Sequence, residues 1–310
     1  MRWRGRQGSS NIEDRRGGGG FGFPGFGGFG GGFGGGFGSG FGGGGCARRG
    51  GIFGGGGLGL IFLLAYFIFG VNPLDLFYQD PGGRQDPYAQ QGYVPTTAEE
   101  DTLKSFVSVV LAETERVWSD LLRERGIDYP EPTLVLFSGS VQSACGYNSS
   151  AVGPFYCPAD SKVYLDLAFF QELQNKFQAS GDFAMAYVVA HEVGHHIQNV
   201  LGISEKVQSL RRRMSETEYN KYSVMLELQA DYFAGVWAHY TQKENLLEEG
   251  DVDEALNAAS AIGDDAIQKR FQGYVVPDSF THGTSEQRKA WFYRGFRSGR
   301  IEDGDTFNNY

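Results

Sequence analysis

Five residues near the middle of the chain, His191-Glu192-Val193-Gly194-His195, constrain the fold more than any other feature of the sequence. On a helix, side chains four residues apart project from one face, so both imidazoles can bind one metal ion beside Glu192. The eight preceding residues are all apolar or aromatic, which predicts a buried helix. Buried imidazole and carboxylate groups need partners, and a metal supplies them. The pattern therefore predicts zinc bound by His191 and His195, with Glu192 as general base.

A catalytic zinc site uses three protein ligands and keeps one open position. The stretch 225–234 offers a third ligand, because Glu227 and Asp231 lie four residues apart among apolar neighbours. Buried carboxylates are costly unless they are paired or bound to metal. We expect Glu227 to be the ligand and Asp231 to accept the free ring N–H of a ligating histidine such as His191. The alternative is a solvated acidic pair on a helix surface.

The remaining histidines have weaker signals. His282 lies in a loop just before a helix cap, where it could donate to the oxyanion of a tetrahedral intermediate or act as a cap. Arg288 would orient His282 or pair with a carboxylate. We expect His196 to lie at the helix surface rather than behind a ligand, and His239 to be structural.

The N-terminal part of the chain has a different composition. Its first 57 residues hold 28 of the 48 glycines, and residues 17–57 repeat Gly and Phe without a polar–apolar period. Such a tract cannot offset the entropy cost of ordering its backbone. We expect a disordered, basic tail over residues 1–50 that serves as a tether; the alternative is a set of Phe sites that recruit partners.

Residues 51–71 carry no charge and contain an apolar run from Leu58 to Phe69, which predicts one transmembrane helix. Arg48 and Arg49 precede it and acidic residues follow it, so the positive-inside rule predicts a cytoplasmic N-terminus. The remaining domain would then be periplasmic or extracellular in a bacterium. Residues 72–96 contain several Pro and Gln and predict a linker.

Residues 97–310 predict a single α+β domain, predominantly helical and with a small β-sheet. Capping boxes start helices at Thr97, Ser215 and Thr284, and strands are expected at Thr133–Phe137 and Lys162–Leu165. Further helices are expected at about 167–178, 182–201 and 251–271. After residue 50 the chain has 20 basic and 35 acidic residues, and this acidic balance excludes nucleic acid as a partner.

Cys145 and Cys157 are 12 residues apart in a loop-like stretch. In an oxidising compartment they would form a disulfide, and otherwise they would be two buried thiols. The sequence has no CxxC pair, which argues against a cysteine-ligated zinc site.

Three segments, HEVGHHIQ, ELQADYFAG and HGTSEQRKAWF, together resemble the bacterial membrane-anchored neutral zinc metallopeptidase family. The opening MRWRGRQGSSNIEDRRG, the SACG…SAVGPFYCP loop and VYLD are similar to it as well. The HExxH and ExxxD pair resembles that of thermolysin-like gluzincins. The resemblance implies a zincin-like fold, zinc on His191, His195 and Glu227, Glu192 as base, and Asp231 behind a ligand. Thr281-His282 with Arg288 resembles the THP…R element of CAAX-processing-type zinc proteases, except that Gly283 replaces the proline.

Together these features predict a membrane-anchored zinc metallopeptidase that hydrolyses peptide or protein substrates. We also expect the strand at Val163–Leu165 to align an extended substrate as an edge strand would. The alternative is a non-catalytic, membrane-anchored zinc-binding scaffold or partner-binding protein.

Overall fold

The computed structural model describes residues 1–17 and 97–308. Most of this part is helical, and the strands form one mixed sheet of four strands and one hairpin. The prediction of a mainly helical α+β fold with a small sheet is confirmed. Most of the Gly/Phe tract, the predicted span at 51–71 and the predicted linker at 72–96 lie outside the described residues.

Eight helices are present in the described part: α1 (Ala98–Arg123), α2 (Ala168–Asn175), α3 (Asp182–Val200), α4 (Ile203–Leu210), α5 (Glu216–Lys243), α6 (Asp251–Ala261), α7 (Asp264–Gln272) and α8 (Ser285–Ser298). The strands are β1 (Ile12–Asp14), β2 (Thr133–Phe137), β3 (Ser140–Ser143), β4 (Gly146–Ser149), β5 (Phe155–Cys157) and β6 (Lys162–Asp166).

The three capping boxes start α1, α5 and α8 as predicted, each with the reciprocal bond between cap and third residue. The helix expected over 251–271 is instead two helices, α6 and α7, separated at Gly263. A Cβ on Gly263 would lie 2.4 Å from the backbone nitrogen of Ser285, so the chain passes too close to α8 for a side chain there. Helix α7 begins directly after Gly263, so Asp264 is its first residue.

The four-stranded sheet has the order β1-β2-β6-β5. Strands β1, β2 and β6 are parallel neighbours, whereas β5 is antiparallel to β6. The expectation that Val163–Leu165 forms an edge strand is therefore wrong, because β6 is paired on both sides. The edge on the side of α3 is β5, and a disulfide joins its Cys157 to Cys145 in the turn between β3 and β4.

Residues 1–17 form part of this folded body. Strand β1 pairs with β2, and Arg6 binds the carboxylate of Glu113 through Nε at 2.8 Å. Ser9 and Asn11 both donate to Glu115 Oε1, at 2.7 and 2.8 Å. The prediction of a disordered tail over residues 1–50 is therefore wrong for residues 1–17, because their side chains supply the partners of carboxylates on α1.

The start of the chain reaches the helix that carries the HExxH motif. The amino group of Met1 lies 2.8 Å from Asp182 Oδ1, at the first residue of α3, and 3.3 Å from Asp251 Oδ2. The Asp182, Asp251 and Glu254 carboxylates also lie close enough together to hold a cation. Because Glu254 accepts from the backbone N–H of Phe183 at 3.0 Å, this cluster serves the start of α3.

The predicted single-pass localisation, with the N-terminus in the cytoplasm and the domain outside, must be corrected. A single crossing places its two flanks on opposite sides of a membrane, whereas residues 1–17 and 97–308 pack together on one sheet. Within those two ranges, no helix is both long enough and apolar enough to cross a bilayer.

Deleting residues 1–17 is expected to lower the free energy of unfolding by at least about 3 kcal/mol. The deletion leaves Glu113 and Glu115, which are 5% and 9% exposed, without their N-terminal partners and uncovers one edge of β2. Denaturant unfolding measures the change. The control Arg2→Ser, at a side chain 63% exposed, should stay within about 0.5 kcal/mol of wild type. Equal stability of the deleted and intact chains would contradict this role of the segment.

Candidate metal centre

The candidate site forms where α3 crosses α5. At Gly194 an added Cβ would lie 2.8 Å from the carbonyl oxygen of Ala230, so only glycine allows the two backbones this approach. The second glycine-mediated approach joins α5 to α8: a Cβ on Gly295 would lie 2.0 Å from the carbonyl oxygen of Tyr232. These close crossings bring the motif helix, the helix with two acids and the helix with Arg288 together.

Three predicted ligands meet at the first crossing. Nε2 of His191 lies 3.2 Å from Glu227 Oε2, and Nε2 of His195 lies 3.5 Å from Glu227 Oε1. One ligand atom from each residue lies within 4.8 Å of the others. The alternative of a solvated acidic pair does not hold, because Glu227 is largely covered and Asp231 is fully buried.

Asp231 lies behind His191 and accepts four hydrogen bonds. Its Oδ1 accepts from His191 Nδ1 at 2.7 Å and from the Tyr187 hydroxyl at 2.5 Å. Arg288 donates to Asp231 through Nε at 2.8 Å and Nη2 at 3.0 Å. Of its two predicted roles, Arg288 therefore takes the pairing with a carboxylate. Because Asp231 holds the proton of Nδ1, Nε2 is the ring nitrogen of His191 that faces Glu227 and is left for a metal.

The electrostatics of this network favour charge on Asp231. Burial alone would raise the pKa of its carboxyl, but Arg288 and then His191 lower it. Burial also disfavours protonation of His191, yet the Asp231 and Glu227 carboxylates outweigh it and raise the pKa of this imidazole to about 10. The site thus stabilises added positive charge beside Glu227.

His195 is oriented in the same way by a residue that sequence reasoning missed. Its Nδ1 lies 2.9 Å from Gln198 Oε1, and the Gln198 amide donates to the backbone oxygen of Leu226 at 2.6 Å. An amide oxygen accepts, so Nδ1 carries the proton and Nε2 is free to bind a metal. The only sequence signal was the spacing of three residues between His195 and Gln198 on one helix.

The residues at the crossing fit a zinc ion. Oε2 of Glu227 is buried and has no hydrogen-bond partner among the described residues, which is costly for a carboxylate. Tetrahedral ligands at about 2.0–2.1 Å from zinc lie roughly 3.3 Å from one another. The two measured separations, 3.2 and 3.5 Å, bracket that value. Two imidazoles and one carboxylate are also a donor set that zinc prefers.

His282 stands beside this centre on a loop anchored by Asp264, which sequence reasoning also missed. Oδ2 of Asp264 accepts from the backbone N–H groups of Thr281, His282 and Gly283 at 2.7–3.0 Å. Oδ1 of Asp264 lies 3.2 Å from His282 Nδ1. Burial opposes protonation of His282, but Glu227 and then Asp264 raise its pKa. The imidazole is thereby prepared to donate a proton or a hydrogen bond.

The other two histidines contribute to packing. His196 is buried rather than at the helix surface, a correction to the prediction, and its two ring nitrogens contact Tyr156 Oη at 3.0 Å and the Pro130 carbonyl at 2.6 Å. His239 lies 2.9 Å from the Phe296 carbonyl through Nδ1 and ties α5 to α8. Glu192, 8% exposed, lies on α3 between the two predicted ligands.

Comparison with known proteins places the chain among uncharacterized bacterial relatives. It is 45% identical over 310 residues to the uncharacterized protein YpfJ of Escherichia coli, covering 99% of each chain. It is 39% identical over 256 residues to the uncharacterized protein Rv2575 of Mycobacterium tuberculosis, covering 78% of this chain and 84% of the relative. No solved structure matches the chain.

One family model covers almost the whole length. Residues 1–307 match the family described as "Putative neutral zinc metallopeptidase". Membership implies Zn²⁺ as the cofactor and peptides or proteins as the class of substrate. Both the predicted resemblance and the predicted cofactor are confirmed. The chain therefore belongs to this zinc metallopeptidase family.

Proposed function

We propose that this protein is a zinc-dependent endopeptidase in which His191, His195 and Glu227 hold the metal. The observation that carries the proposal is the covered carboxylate of Glu227: its Oε2 has no hydrogen-bond partner among the described residues, and its two oxygens face the Nε2 atoms of two oriented imidazoles. The side chains of His195 and Glu227 remain 20% and 17% exposed, so the centre is reachable from outside. Three protein ligands and an accessible position are typical of catalytic zinc.

Zinc bound there would supply the Lewis acidity that polarises a scissile carbonyl and makes water nucleophilic near neutral pH. Glu192 would accept the proton of the attacking water and deliver it to the leaving amine. His282 would donate through its ring to the developing oxyanion. Asp264 would keep that ring in place, and Asp231 and Gln198 would keep the Nδ1 protons on the two histidines.

Strand β5 would align the substrate. It is the edge of the sheet nearest α3, and its Tyr156 contacts His196 and Asn199 on that helix. An exposed strand edge offers main-chain donors and acceptors that an extended peptide can pair with. The substrate-aligning role predicted for Val163–Leu165 is thus moved to the neighbouring strand.

Removing the metal tests the proposal. Treatment of the full chain with 1,10-phenanthroline should abolish cleavage of β-casein, and one equivalent of Zn²⁺ should restore it. Glu227→Gln should lower zinc affinity on the order of 100-fold, because it removes a charged ligand. The control Glu249→Gln, at an exposed side chain, should bind zinc as wild type does. Cleavage that persists in the metal-free chain would contradict the proposal.

A further inference from the structure

A short apolar surface lies on the loop between α7 and α8. Five large hydrophobic side chains are exposed in the described part of the chain. Three of them are consecutive: Tyr274, Val275 and Val276 are 63, 41 and 39% exposed. We call residues 274–276 the apolar tip. Contiguous exposed apolar groups of this kind mark interaction sites, whereas isolated ones need no explanation.

Hydrogen bonds hold the apolar tip in one conformation. Gln268 on α7 accepts from the backbone N–H of Val276 at 2.7 Å and donates to Ser279 Oγ at 2.9 Å. Ser279 Oγ donates back to the Val276 carbonyl at 2.8 Å, and Gln272 donates to the Tyr274 carbonyl at 3.0 Å. A fixed apolar surface loses less conformational entropy on binding than a mobile one.

The same loop runs along α5 toward the metal centre. The carbonyl oxygen of Asp278 accepts from the Asn220 amide at 3.2 Å, and Gly283 packs between Val224 and Leu228. Seven residues separate Asn220 from Glu227, which is two helical turns or about 10.5 Å. The loop that carries the apolar tip therefore runs along the face of α5 that holds Glu227, and its later part carries His282.

The charge of the domain argues against an anionic membrane as the occupant, since residues 97–310 contain 19 basic and 32 acidic residues.

We propose that the apolar tip is a specificity-determining subsite for an apolar side chain of an extended peptide substrate. This inference rests on the proposed peptidase function and names what that site selects. Asn220 and Glu227 are about 10.5 Å apart along α5, a length that an extended peptide spans with roughly three residues at about 3.3 Å per residue. The selected side chain is therefore three or more residues from the scissile bond.

Two experiments on the full, zinc-loaded chain test the subsite. In the first, β-casein cleavage products are mapped by mass spectrometry for wild type, Tyr274→Ser/Val276→Ser and the control Tyr293→Ser, an exposed tyrosine on α8. Wild type should prefer Leu, Val or Phe about three to five residues from the cleaved bond. The double variant should lose this preference and raise KM about tenfold at unchanged kcat, whereas Tyr293→Ser stays within twofold.

In the second, fluorescence anisotropy measures binding of a labelled β-casein peptide to Glu192→Gln protein with and without the two tip substitutions. The tip substitutions should weaken binding about tenfold. Unchanged binding and cleavage preference, or an equal effect of Tyr293→Ser, would overturn the subsite. If wild type leaves casein intact, the proposed peptidase function fails, and anisotropy still decides whether the tip binds peptide. Self-association through the tip with unchanged peptide affinity would also overturn it.

Discussion

Glu192→Gln is expected to keep its zinc and to lose peptide hydrolysis by a factor of roughly 10²–10⁴, the usual contribution of a general base. Glutamine has the shape of glutamate but cannot accept a proton from water near neutral pH. Glu192 lies between the two predicted ligands on α3 and is outside the predicted ligand set. Zinc content by mass spectrometry and β-casein cleavage rates measure the two effects separately.

The side chains keep nearly the same volume, so Glu192→Gln should unfold at the temperature of wild type. Glu205→Gln, an exposed residue on α4, is the matched control and should cleave at the wild-type rate. Hydrolysis by Glu192→Gln at the wild-type rate would remove Glu192 from the proposed mechanism. Loss of zinc from this variant would instead give Glu192 a role in holding the metal.

Asp231→Asn is expected to be the most destabilising single change in the site, at about 3–5 kcal/mol, because it leaves the buried Arg288 cation without a negative charge to balance it. Arg288 is 2% exposed and makes two bonds to the Asp231 carboxylate. The same change replaces the charged acceptor of His191 Nδ1 by a neutral amide, so zinc affinity should fall about 10- to 100-fold. Denaturant unfolding of the metal-free chain isolates the first effect, and chelator competition measures the second.

Asp253→Asn, at an exposed position on α6, supplies the control and should change stability by less than about 0.5 kcal/mol. If Asp231→Asn matched this control in both measurements, the buried network around His191 would have no role in stability or in metal binding. A stability loss with unchanged zinc affinity would limit Asp231 to the fold.

Local patterns account for the parts of the structure that could be predicted. Helix starts follow from capping boxes, because the cap and its third residue interact within one turn. The pairing of His191 with His195, and of Glu227 with Asp231, follows from helical spacing alone. That α3 and α5 meet could be inferred only from chemistry, since buried acids and imidazoles need one another.

Contacts between distant segments account for what was missed. Strand β1 has three residues, and it forms only because β2, more than a hundred residues later, offers its edge. Asp264 carries no motif, and its role depends on a loop 17–19 residues further on. In the sequence, Tyr187 looks like an ordinary core residue, whereas in the structure its hydroxyl donates to Asp231. Residues 1–17 are basic and directly precede the Gly-rich tract, so composition alone gave no sign that they fold.

Zinc ions and new peptide termini can be counted in one preparation of the full chain incubated with β-casein, which tests the metal site and the peptidase activity together. We expect one zinc per chain, bound through His191, His195 and Glu227, and new termini that accumulate with time and do not form in the metal-free chain. One zinc per chain without new termini would contradict the peptidase and indicate a zinc-binding scaffold.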